Sequence, residues 1–159
     1  MKYSILLLSL LGFVSCSNSI LKLSNFDKKQ ILQTIDNHNK TLIFIGAEYC
    51  QASKNMLEKN IKPCLDGLEK NNIGIVFIYY GNEDFCNDLK SDNRVIIAND
   101  LTTPFSKINA NNTMKEIIKN YKKSNYFPIP LLVDRNGFAT NYNEISGHYD
   151  YKEIFEAAK

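Results

Sequence analysis

Two apolar runs dominate the hydropathy pattern, residues 42–46 and 73–80, each bounded by polar positions and rich in β-branched and aromatic side chains. Runs of this length and continuity predict strands buried on both faces of a parallel or mixed sheet. The segments beside them repeat at helical rather than alternating spacing. Residues 26–37 carry Phe26, Ile31, Leu32 and Ile35 on one side behind the capping residue Asn25, which predicts an amphipathic helix. Residues 51–70 place Leu57, Ile61, Cys64, Leu65 and Leu68 on an inward stripe. Pro63 interrupts that helix and predicts a kink or break. A short strand is expected at 20–24.

The pattern weakens between 81 and 125. Here 85–89 suggests a short helix, 95–98 a minor strand, and 113–122 a helix capped by Asn112 or Thr113. After it comes an apolar run that begins near Ile129, then the hairpin signal Asn136-Gly137 and an amphipathic closing helix over 151–158. The resulting order is β-α-β-α-β, then a helix, a hairpin and a final helix, an α/β arrangement with a central mixed β-sheet flanked by helices.

The first residues read differently. Lys2 precedes an apolar stretch from Ile5 to Val14, and Ser15 precedes Cys16, the layout of a secretory signal whose core is too short for a permanent span. Phe13-Val14-Ser15-Cys16 resembles a bacterial lipobox. That resemblance implies a lipoprotein signal peptide at 1–15, a lipid on Cys16, a tether at 16–19, and a bacterial membrane facing the periplasm as the location. Of 159 residues, 144 remain after the signal, enough for one domain over 20–159. The formal charge of +2 includes Lys2, and the other lysines are interspersed with acids. No nucleic-acid surface is expected.

The chemistry centres on Cys50, where the apolar run hands over to a helix. A helix start presents free N–H groups and the positive end of the dipole, which favour a thiolate. Ala47-Glu48-Tyr49-Cys50 resembles the Ala-Glu-Trp-Cys of the thioredoxin superfamily, and Phe127-Pro128-Ile129-Pro130 is similar to that family's Gly-Ile-Pro-Thr. The resemblance covers 20–80 and 126–158. It implies a thioredoxin-like fold, with Cys50 as nucleophile, Tyr49, Gln51 and Ala52 beside it, and 81–125 as a lengthened insertion. It further implies that Pro130 is cis against the thiol and that Ile129 lends its backbone to a substrate strand.

Two departures from the family pattern occur together. Ser53 stands at the position of the second cysteine, and Phe44 replaces a buried Asp that assists proton transfer from it. With no thiol at Ser53, Cys50 can attack a disulfide but depends on another thiol for release. The expected activity is therefore monothiol exchange or isomerisation on cysteines of secreted or periplasmic clients, with an external thiol reductant, and with no cofactor and no metal site. The alternatives are a non-catalytic binding module and a dithiol reductase with Cys86 as resolving thiol. Ser53 is expected to bond a backbone N–H or the Cys50 sulfur. Cys64, about 20 Å along the same helix, reads as core. His38 and His148 are too scattered for a metal cluster.

Overall fold

The computed structural model describes residues 25–81, 87–91, 94–99 and 104–159. The strand expected at 20–24, the lipobox with Cys16, and Cys86 lie outside the described residues. The elements are α1 (Asn25–Asn37), β1 (Lys40–Ala47), α2 (Gln51–Met56), a π-turn (Leu57–Ile61), a 3-10 turn (Lys62–Cys64), α3 (Leu65–Lys70), β2 (Ile73–Tyr80), β3 (Arg94–Asn99), α4 (Pro104–Ile117), β4 (Ile129–Asp134), β5 (Tyr142–Asn143), β6 (His148–Tyr149) and α5 (Lys152–Ala157).

The sheet runs β3-β2-β1-β4, with β1, β2 and β3 parallel and β4 antiparallel to β1. Because strand side chains alternate between faces, β1 feeds two cores. Ile43, Ile45 and Ala47 join Ile31 and Ile35 of α1 and Met114 of α4 on one face. Leu42 and Phe44 join Leu57, Ile61 and Leu68 on the other. Both central strands are buried almost throughout. This is the thioredoxin-like α/β architecture, a mixed sheet between helices.

Pro63 acts as its missing N–H requires. The helical stretch from 51 to 70 is not broken by it but changes pitch, from α through π and 3-10 back to α, and keeps Leu57, Ile61, Cys64, Leu65 and Leu68 inward. At the far end Arg94 fastens the edge strand β3 to α3. Its Nε and Nη2 donate to Glu69 Oε1 and Oε2 at 2.7 and 3.1 Å.

The helix expected at 113–122 lies earlier. It occupies Pro104–Ile117, so Asn112 and Thr113 are interior positions rather than caps. Asparagine is a weak helix former, but packing decides here. Ala110, Met114 and Ile117 fill the core, and buried Asn111 accepts from the Tyr121 hydroxyl at 2.7 Å. The Asn136-Gly137 turn forms as expected, bridging Val133 to Ala139. Beyond it β5 and β6 make a separate two-stranded sheet.

Candidate functional site

Cys50 caps the start of α2 in extended backbone, φ −100° and ψ 108°, and its carbonyl accepts from Lys54 N at 3.2 Å. The half-buried thiol packs against the core that contains Ile45 and Ala47. Around it Tyr49, Gln51 and Ala52 are exposed. Although Tyr49 is 60% exposed, partial desolvation of its hydroxyl, and then the neighbouring Cys50, raise that phenol above its usual value.

The loop that faces the thiol is the one the sequence resemblance assigns, but its cis proline is a different residue. The cis peptide bond is Phe127-Pro128, and Cys50 Sγ donates to the Phe127 carbonyl at 3.7 Å. Ile129 and Pro130 already belong to β4, in register with Ile45 and Phe44, and both are buried. Pro130 is thus not the cis residue, and Ile129 has no free backbone edge beside the sulfur. The physical reason is register: once β4 pairs with β1, only the first proline of Phe127-Pro128-Ile129-Pro130 remains at the mouth of the sheet. Phe127 is fixed there by its ring, 5.6 Å from that of Tyr80.

Ser53 also differs from expectation. It is fully buried, and its Oγ has no hydrogen-bond partner, neither a backbone N–H nor the Cys50 sulfur. A Cβ added at Gly46 would lie 2.8 Å from Phe44 Cε1 and 3.4 Å from Ser53 Cβ, so glycine at 46 is what lets both approach it. Phe44 itself is fully buried and meets Phe77 edge to face at 6.3 Å. Position 44, near Ser53, thus carries a buried aromatic ring and not a carboxylate.

Cys64 matches the core reading. It is 8% exposed, its Sγ donates to Asn60 O at 3.2 Å, and burial pushes its thiol up. Among the described residues no three His, Cys, Asp or Glu side chains converge to hold a metal ion, and no helix is long and apolar enough to cross a membrane.

Two supporting residues escaped the sequence reading. Buried Asn141 accepts from Leu132 N at 2.9 Å and donates to Pro130 O at 2.7 Å and to Asp150 O at 3.0 Å. Its amide ties β4 to the loop before α5. Buried Asn111 does the same for Ser124, accepting from its N–H at 3.2 Å. In an asparagine-rich chain neither stands out. Gly81 is a third such position: with φ +151°, a Cβ there would meet Glu48 Cβ at 2.5 Å, and the loop leading to Cys50 packs on it.

Neither a protein-family model nor a curated protein sequence matches the chain. Solved structures do. A thiol:disulfide interchange protein from Bacteroides sp. is 14% identical with a TM-score of 0.47, over 77% of this chain and 75% of that one. The C-terminal domain of an uncharacterized protein from Bacteroides fragilis NCTC 9343 is 18% identical with a TM-score of 0.42, over 65% of this chain and 69% of that one. In its own sheet order, and in the cis-proline loop set against the start of α2, this chain has a thioredoxin-like fold.

Proposed function

We propose that this protein is an extracytoplasmic monothiol that exchanges disulfides with cysteines of secreted or periplasmic clients through Cys50, held at a bacterial membrane by a lipid on Cys16. The observation that carries this reading is the contact between Cys50 Sγ and the Phe127 carbonyl at 3.7 Å. It sets a half-buried thiol at a helix start against the cis-proline loop.

The Cys50 thiolate attacks one sulfur of a client disulfide. A Cys50–client disulfide forms, and the other client sulfur leaves as a thiolate. A further client thiolate that attacks the client sulfur of this adduct regenerates Cys50 with no net change in oxidation, which is isomerisation. An external thiolate that attacks the Cys50 sulfur of the adduct instead releases the client as a thiol and leaves a Cys50–external disulfide. A second external thiolate then attacks the external sulfur, which frees Cys50 and leaves the two external thiols joined as a disulfide, so the client is reduced and the external pair oxidised. Ser53 cannot perform either release, because its hydroxyl forms no disulfide. The buried aromatic ring at Phe44 supports the same reading, since no proton acceptor for a second thiol is present there.

Rapid acid quenching and thiol blocking of intact cells, followed by isolation of the protein, tests this. Client adducts through Cys50 are expected, and Cys50→Ser removes them. Complexes that persist unchanged in Cys50→Ser would establish the binding module instead. An internal bond between Cys50 and Cys86 would establish the dithiol alternative. Mass spectrometry of the native N-terminus tests the anchor, and an unmodified Cys16 or an intact Met1 refutes it.

A further inference from the structure

A cleft of about 320 Å³ opens beside the cis-proline loop, between Met56 on α2, Pro128 and Pro130, residues 122–124 with Tyr126, and residues 147–149 with Tyr151. Its outer wall is firmly built. The Tyr149 hydroxyl donates to Lys122 O at 3.0 Å and accepts from Lys122 N at 2.9 Å, while its ring stacks on Tyr121 at 6.1 Å and 18°. Asn111 holds the next turn through Ser124. Tyr126 nonetheless remains 77% exposed and Tyr151 39% exposed.

The charge of the cleft is one-sided. Lys122 and Lys123 line it, no Asp or Glu does, and neither lysine has an ion-pair partner among the described residues. An aromatic and proline-lined slot with cations at one end is complementary to an extended peptide that carries an acidic side chain beside an apolar one.

We infer that this cleft selects clients by the chain flanking their reactive cysteine, holding an acidic residue against Lys122 and Lys123 and its apolar neighbour against Tyr126 and Tyr151. The inference rests on the thiol exchange proposed above and adds its substrate class. Met56 lies six residues beyond Cys50, about 9 Å along the helix. At about 3.3 Å per residue an extended client covers that distance in about three residues. The client chain therefore reaches the cleft wall at Met56 about three positions from its cysteine, and the acidic residue is placed from that position onward.

Short labelled peptides with serine in place of the cysteine, and either Glu or Lys about three positions away, separate recognition from sulfur chemistry. With the full chain, fluorescence anisotropy at low ionic strength should show the Glu peptide binding about five- to tenfold more tightly than the Lys peptide. The preference should fade at high salt. It should disappear in Lys122→Gln/Lys123→Gln and invert in Lys122→Glu/Lys123→Glu, both surface changes checked for retained folding by circular dichroism. Equal affinities, or a preference that survives charge reversal, overturn the inference. Cysteine versions activated as mixed disulfides give the second readout. Capture by Cys50 without any charge preference rejects the cleft and leaves the exchange reading standing. Acid-selective binding without capture rejects the exchange reading and leaves a cleft for acidic peptides.

Discussion

Cys50 Sγ touches the carbonyl oxygen of Phe127, 3.7 Å away and 77 positions along the chain. Sheet pairing brings them together, since β1 ends just before one and β4 begins just after the other. A thiol in this position has an approach open to solvent on one side and a backbone acceptor on the other.

The two described free thiols should differ sharply in reactivity. With Cys16→Ser and Cys86→Ser in place, iodoacetamide at neutral pH should label Cys50 at least about tenfold faster than Cys64, which is buried and whose thiol is pushed up by desolvation. Peptide mapping over time measures the ratio. Comparable rates would mean that Cys50 is an inert core thiol.

Ser53 offers two tests in opposite directions. Its buried hydroxyl has no partner, so Ser53→Ala should leave stability unchanged or raise it by up to about 1 kcal/mol in urea unfolding. Ser53→Cys places a second thiol one turn from Cys50. It should permit an internal disulfide, shorten the life of Cys50–client adducts and increase insulin reduction over wild type, whose own rate is expected to be low. An internal disulfide without any gain in turnover would count against exchange as the function.

Phe44→Asp should be costly. The side chain is fully buried and meets Phe77 edge to face, so the change removes packing and buries a carboxyl among apolar groups. A loss of about 3–5 kcal/mol is expected from denaturant midpoints. A loss below about 1 kcal/mol would show that this position is wetter than its burial indicates.

Asn141→Ala should reveal how the cis-proline loop is held. The change deletes three side-chain hydrogen bonds and leaves Leu132 N and Pro130 O, both in the interior, without them. About 2–4 kcal/mol should be lost. Hydrogen exchange should accelerate over 128–132 and 150 more than in α1.

Acid should weaken the attachment of β3. Hydrogen bonds from Arg94 hold the Glu69 carboxyl below its usual range, partly opposed by its burial. A carboxylate with a lowered folded value contributes in full above its unfolded value, and the contribution fades as pH falls through the folded one. Glu69→Gln should therefore cost stability near about pH 6 and show a shallower decline than wild type towards about pH 3. Parallel acid limbs for the two proteins would remove the pair from the pH dependence.

Much of this molecule was written locally. The runs at 42–46 and 73–80 could bury themselves only as central strands, and they became β1 and β2. The polar-to-helical change after Cys50 placed the thiol at a helix start, and the serine at 53 by itself removed any internal resolving bond in that turn. Local information ran out where two similar choices lay side by side. Phe127-Pro128-Ile129-Pro130 offers two X-Pro bonds of like chemistry, and only the pairing of Ile129 with Ile45 and of Pro130 with Phe44 decides that Pro128 is the one facing the thiol. The extent of α4 was hidden for a related reason, because its asparagines disfavour helix until Asn111 finds Tyr121 and Ser124 across the fold. The Ser53 hydroxyl appeared free to find a partner nearby. Tertiary packing buried it without one. Residues that meet only through strand register or loop packing carry no periodic signal of their meeting, so the apolar pattern fixes the sheet while the tertiary contacts choose what stands around its sulfur.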